Sequence, residues 1–195
     1  AFTPRALANL QPRIEAVVEG LLDEHADKGG MDLVEDFAFR LPVEVICDML
    51  GVPPGDRAPF RRYSLAILGA LEPVAGPERQ EKGNEAVTEF SAYLDGLVAE
   101  RRRRPADDSD ILGTLIHGEI DGERLSHDEL VQNCIFLLNA GHETTTNLIG
   151  NTVDALLRFP DELRRLRGNP GLLKSSIEEF LRFESSNQLG NRLTT

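Results

Sequence analysis

The run from Ser126 to Pro160 constrains this chain more than any other feature. Ser126 and Glu129 form an S-x-x-E capping box, apolar residues then recur at helical spacing from about His127 to Phe159, and Pro160 ends the pattern. At 1.5 Å per residue such a helix is roughly 50 Å long, enough to cross a whole domain. The chain therefore has a long central helix.

Helical spacing also dominates elsewhere, and alternation with period two appears only briefly, so the fold is expected to be mainly α, with about eight helices. The first runs from about Pro4 to Asp27, with Gly29 and Gly30 as its stop. A short buried helix from Asp36 to Leu50 is interrupted early by Pro42 and closed by Gly51 and the Pro53-Pro54 pair. Further helices are expected over about 55 to 70, from Pro77 to Arg104, in SDILGTLIHG, and over about 161 to 168 and 171 to 184. Two β elements are expected: a small hairpin in GEIDGERL, turning at Asp121-Gly122, and a C-terminal strand in QLGNRLTT. No internal repeat or low-complexity segment breaks this organisation.

With 41% hydrophobic and 28% charged residues, 195 residues suffice for a core and read as one domain or part of a larger one. The balance of 21 basic against 33 acidic residues, net −12, argues against a nucleic-acid partner. No apolar run approaches the roughly 18 residues of a membrane span, and AFTPRALANLQPR lacks a signal-peptide pattern, so a soluble, cytoplasmic protein without a membrane partner is expected. The arginines at 101 to 104 read as a solvated helix end complementing the helix dipole rather than an anion-binding patch. Cys47 and Cys134 sit in apolar helical contexts and read as buried thiols, neither a disulfide framework nor a zinc site.

The middle of the long helix, LLNAGHETTTNLIG, is where the pattern stops being structural. Asn133, Phe136, Ala140, Glu143, Thr144, Asn147 and Asn151 share one broad face, flanked by apolar turns that imply burial. Buried polar groups without partners are costly, and Gly141 costs about 1 kcal/mol relative to alanine in a helix interior. A buried acid beside a threonine can relay protons to something lying against the helix, and a glycine lets that object approach the backbone. From this helix alone, such a site and a satisfied polar network between two helices both stay open. A zinc reading fails, because His142-Glu143 begins H-E-x-x-H but position 146 is threonine. His142 points away from the Glu143/Thr144 stripe and reads as structural. Farther on, Glu179 and Arg182 stand at i, i+3 on one face, with Arg192 ten residues later. On a surface that pair is worth tenths of a kcal/mol, whereas stranding one partner of a buried pair costs roughly 3 to 5 kcal/mol. Phe180 and Leu181 beside it favour partial burial.

Together these features resemble the cytochrome P-450 family of haem-thiolate monooxygenases, in its bacterial, soluble form. Ala140 to Thr145 resembles the family's A-G-x-E-T-T oxygen-activation motif, and Glu179-Phe-Leu-Arg182 its E-x-x-R helix. LGVP at 50 to 53, FTPRAL at 2 to 7, LLRFPDELRRL at 156 to 166 and the final NRLTT match in family order. The resemblance implies one partial P-450-like helical domain over residues 1 to 195. It implies that Glu143 and Thr144 are the acid and alcohol delivering protons to oxygen at a haem iron, and that Ala140 and Gly141 shape the oxygen-side groove. Arg192 would pair with a haem propionate, Glu179 and Arg182 would hold the haem-binding core together, and Phe136, Asn139, Gln188 and Leu189 would lie near a small organic substrate. Electrons would come from a ferredoxin-type or flavin partner.

Two family features are absent from the sequence: the F-x-x-G-x-x-x-C-x-G loop that supplies the thiolate iron ligand, and the segment before FTPRAL. No metal ligand is therefore expected within the chain, which resembles the middle of a family member. A portion of a working enzyme is the favoured reading, because both the Glu143-Thr144 and Glu179-Arg182 pairs are preserved. The alternatives are a haem-free pseudoenzyme and a helical interaction protein.

Overall fold

The computed structural model describes residues 4–72, 74–103, 111–119 and 124–187, with side chains from residue 10 onward. Eight α-helices account for most of these residues: α1 (Pro4–Ala26), α2 (Arg40–Leu50), α3 (Phe60–Leu71), α4 (Pro77–Arg101), α5 (Ile111–His117), α6 (His127–Arg158), α7 (Pro160–Gly168) and α8 (Leu173–Phe183). A π-helical turn, Leu33–Ala38, leads into α2. Asp32 caps it by accepting from the Val34 and Glu35 amides.

Local chemistry sets the boundaries. Gly29 and Gly51 take φ of 71° and 67°, the left-handed region that favours glycine, and each ends a helical segment. Pro42 does not interrupt α2, because that helix begins at Arg40 and the proline falls in its first turn, where no intrahelical N–H is needed. The expected start at Asp36 is instead the π-helical turn. The Ser126/Glu129 box is complete: the Glu129 amide donates to Ser126 Oγ at 3.2 Å and the Ser126 amide to Glu129 Oε2 at 2.8 Å.

No strand occurs among the described residues. The expected hairpin has its turn at Asp121-Gly122, and the expected C-terminal strand spans 188 to 195; both segments lie outside the described residues. The described flanks of the hairpin, 118–119 and 124–126, form no ladder among the described residues and carry an Arg124–Glu119 ion pair at 3.1 Å.

The core forms where α2, α3 and α4 close on α6. Leu130, Cys134, Leu138 and His142 recur at four-residue spacing on α6 and are fully or almost fully buried. Opposite them lie Ile46, Cys47 and Leu50 of α2, Phe60, Tyr63 and Ile67 of α3, and Phe90 and Leu94 of α4. Phe60 meets Phe90 edge-on at 5.0 Å and Tyr63 stacks on Phe90 at 5.2 Å. Full burial of each such side chain is worth about 1.5–3 kcal/mol. Arg57 ties α2 to the following turn: it bonds Glu44 and Asp48, each at 2.6 Å, and its Nη2 reaches the Val52 carbonyl at 2.9 Å.

At Gly83, α4 approaches α3 closely. An added Cβ would collide with the Ala70 methyl on α3 and sit 3.2 Å from the Ala66 carbonyl. Alanine should gain about 1 kcal/mol of helix propensity there but force α3 and α4 apart at a backbone contact, so Gly83→Ala is expected to destabilise by about 1–3 kcal/mol net. Denaturant unfolding of the variant beside an exposed control, Gly96→Ala, measures this.

Candidate functional site

The polar middle of α6 divides by face rather than lying buried as a unit. Gly141, His142 and Thr146 turn inward, whereas Ala140, Glu143, Thr144, Thr145 and Asn147 are exposed. The expectation that the acid and alcohol are buried is therefore corrected. Apolar turns flank them, but no described element packs over their face. Phe136, one turn earlier on the same stripe, is 66% exposed.

Each inward group has an identifiable partner. At Gly141 a Cβ would lie 2.9 Å from Ile46 Cδ1, so the missing side chain admits α2 against α6. His142 Nδ1 shares a 2.7 Å hydrogen bond with Ser64 Oγ of α3, and both residues are fully buried. The ring also meets Phe39 edge-on at 4.3 Å, and the Arg61 guanidinium lies 4.0 Å over the other partner's ring, that of Phe39. Thr146 Oγ1 donates toward the His142 carbonyl at 3.0 Å and the Ala38 carbonyl at 3.1 Å. His142 Nε2 and Asn139 Oδ1 are buried without a hydrogen-bond partner, although Asn139 Nδ2 donates to the Ile135 carbonyl at 2.9 Å.

On the outer face, Thr144 Oγ1 donates to the Ala140 carbonyl at 2.7 Å. That bond commits the hydroxyl proton to the helix and leaves the oxygen lone pairs free to accept from a group lying on the stripe. Glu143 stands one residue away, its carboxyl side chain exposed to solvent.

Glu179 and Arg182 of α8 are joined by two bonds, 2.7 and 2.6 Å. They are not partly buried as expected: the glutamate is 54% and the arginine 69% exposed. Phe180 and Leu181 beside them are themselves only partly covered, because α8 buries none of its residues. Arg182 holds the Glu179 carboxyl below the usual carboxylate range. Glu179, without Arg182, lines a cleft of about 350 Å³ between α6, α7 and α8, together with Phe159, Phe180 and Phe183. Arg192, Gln188 and Leu189 lie outside the described residues.

Both cysteines are fully buried and free, and burial pushes each thiol up to about 12. Neither can offer a thiolate. Among the described residues no cluster of histidine, cysteine or carboxylate side chains could hold a metal ion.

A family model described as Cytochrome P450 matches residues 65–169, more than half of the chain, including α6 and its outward stripe. The chain belongs to the cytochrome P450 family. Among similar curated proteins, cytochrome P450 CYP107DY1 of Priestia megaterium is 41% identical over 98% of this chain and 46% of its own length. Vitamin D(3) 25-hydroxylase of Pseudonocardia autotrophica is 42% identical over 95% of this chain and 44% of its own. The crystal structure of P450BioI in complex with a hexadec-9Z-enoic acid ligated acyl carrier protein superposes with a TM-score of 0.87 at 36% identity, covering 94% of this chain and 46% of that one. The chain thus spans about half the length of the P450s it matches.

Sequence reasoning missed Ser64, Phe39 and Ile46, which hold the site turn from behind. Ser64 left a signal: in FRRYSLAIL it falls between Phe60 and Ile67 at helical spacing, a hydroxyl on an apolar stripe. Phe39 and Ile46 left none, since they read as ordinary core residues.

Burial lowers the His142 pKa to about 4 from an ordinary 6.5; the Phe39 backbone favours the charged ring and offsets part of this, while the Arg61 charge adds to it. The unfolded chain takes up this proton near pH 6.5 and the folded one only near 4, so stability is fully present above about 6.5 and is lost as pH falls toward 4. The loss should reach about 3 kcal/mol. Unfolding of wild type and His142→Gln across this window checks it: the variant should lack that part of the slope, and equal slopes would remove His142 as its source.

Proposed function

We propose that this chain is the oxygen-side portion of a haem-thiolate monooxygenase that inserts one oxygen atom from O2 into a small organic substrate. The observation that carries the reading is the outward stripe of α6, where Ala140, Glu143 and Thr144 stand together, uncovered by any described element, beside exposed Phe136. Small Ala140 leaves room for a flat macrocycle against the helix. The Thr144 hydroxyl, already donating to the Ala140 carbonyl, offers acceptor lone pairs on that side.

A bound haem would supply redox-active iron for oxygen chemistry at this face. Thr144 then orients and holds a proton-donating hydrogen-bond network at that face, and Glu143 replenishes it from solvent, which suits a carboxylate in contact with water. Ala140 and Gly141 shape the groove, with Gly141 contributing through α2, which it admits against the helix. Phe136 and Asn139, with Gln188 and Leu189, border the substrate. Glu179 and Arg182 support the haem-binding core, and Arg192 pairs with a propionate, as a permanently charged guanidinium does well. Buried Cys47 and Cys134 exclude themselves as iron ligands.

Electrons come from a ferredoxin-type or flavin partner, and the compartment is the cytoplasm. Among the described residues no helix is long and apolar enough to cross a membrane. The vitamin D(3) and hexadecenoyl acyl carrier protein named for relatives favour a lipophilic substrate, which fits exposed Phe136. A haem-free interaction protein leaves the outward acid and alcohol without a task.

Haem titration of residues 1 to 195, beside a longer version carrying a downstream cysteine, tests the assignment. Only the longer version should give the thiolate-type Soret shift in its reduced carbon monoxide spectrum, and failure of both to bind haem would overturn the reading. In the loaded protein, Thr144→Ala should leave reductant consumption running while product per electron falls roughly tenfold or more and peroxide accumulates. Unchanged coupling would remove Thr144 from the proton path.

A further inference from the structure

The α6 turn that presents Glu143 and Thr144 is gripped from behind at three positions. Gly141 receives Ile46 of α2, His142 bonds Ser64 of α3, and Thr146 reaches the Ala38 carbonyl. Successive residues on a helix are rotated by about 100°, so fixing 141, 142 and 146 fixes the direction in which 143 and 144 point. A slip of a single position would turn Glu143 into the core.

Of the three contacts, His142–Ser64 is the one made by two side chains, both fully buried and 78 residues apart in sequence. An imidazole is a costly way to fill a core. Its Nε2 is left without a partner, so packing alone would be served better by leucine or phenylalanine at this position. What a hydrophobe cannot supply is direction. A hydrogen bond at 2.7 Å locks the ring plane, and Phe39, meeting that ring edge-on beneath Arg61, closes the remaining freedom.

We propose that His142 and Ser64 are positioning residues, which register α3 against the α6 turn and so hold Glu143 and Thr144 at a fixed angle on the outer face. The role in catalysis rests on the monooxygenase reading above; the registration itself does not. Neither side chain touches substrate or cofactor, and both act through the backbone of residues 142–146.

Hydrogen exchange on residues 1 to 195 tests the registration directly. Ser64→Ala removes one hydroxyl, leaves little void and should fold. Amides of residues 142–147 should then exchange roughly tenfold faster, while those around Phe90 and Leu94 on α4 keep their wild-type rates. Ser64→Thr, which keeps the hydroxyl, should restore protection. Unchanged exchange at 142–147, or a uniform rise that includes α4, overturns the proposal, since the bond would then be ordinary core stability.

In the haem-loaded longer protein, Ser64→Ala should lower product per electron in the same direction as Thr144→Ala, and Ser64→Thr should recover it. Full coupling in Ser64→Ala, where Thr144→Ala is uncoupled, removes the positioning role. A silent Thr144→Ala instead defeats the monooxygenase reading, and the exchange data then report on the registration alone.

Discussion

The inward stripe of α6 is the constraint on which the rest of the molecule depends. Leu130, Cys134, Leu138 and His142 form a line of buried side chains along one side of a 32-residue helix. Elements as far apart in sequence as α2 and α4 join one core because each packs on this line. The aromatic cluster of Phe60, Tyr63 and Phe90 then fills the space between α3 and α4. Remove the stripe and α2, α3 and α4 share no common partner; interrupt it with the polar residues of the outer face and the core would contain a carboxylate. The helix therefore separates two chemistries by rotation alone, with apolar contact on one side and solvent-exposed polar groups on the other.

Electrostatics reinforce the arrangement without creating it. Most ion pairs, such as Arg79–Glu72 and Lys82–Glu78, lie on the surface, where each is worth 0–1 kcal/mol. Arg57 is different. Its side chain is only 13% exposed and satisfies two carboxylates of α2 together with the Val52 carbonyl, so it closes the C-terminal end of α2 against the turn that launches α3. Arg101 adds a bond from α4 to the Gly51 carbonyl at the same corner. This corner joins the end of α2 to the turn before α3, the helix that carries Ser64.

Helix positions were legible in the sequence because their signals are local: the Ser126/Glu129 box, the glycines at 29 and 51, and the proline at 160 each act within a few residues. Burial was not, because it depends on what lies opposite. Apolar turns on both sides of Glu143 suggest a buried acid, yet a helix can bury the flanks and expose the middle of a different face. The same reasoning failed for Glu179 and Arg182, whose apolar neighbours lie on a helix that buries nothing. Gly141 was recognised as a site of close approach, but the object approaching is the Ile46 side chain, a fact that only the packing of α2 reveals. The hairpin expectation rested on a two-residue turn signal at Asp121-Gly122, which lies outside the described residues.

The distribution of ionisable groups along α6 gives these observations a common direction. Inside, every group that could exchange a proton or an electron is held in one form: burial drives the Cys134 thiol up to about 12 and the His142 ring down to about 4, so at neutral pH both are uncharged. Outside, Glu143 meets water and Thr144 shows its lone pairs. An interior that titrated with its surroundings would shift the helix with every change of protonation, and the outer pair would lose its angle. Under the proposed function, uncharged groups behind and water-exposed groups in front make α6 a rigid support for the outer pair.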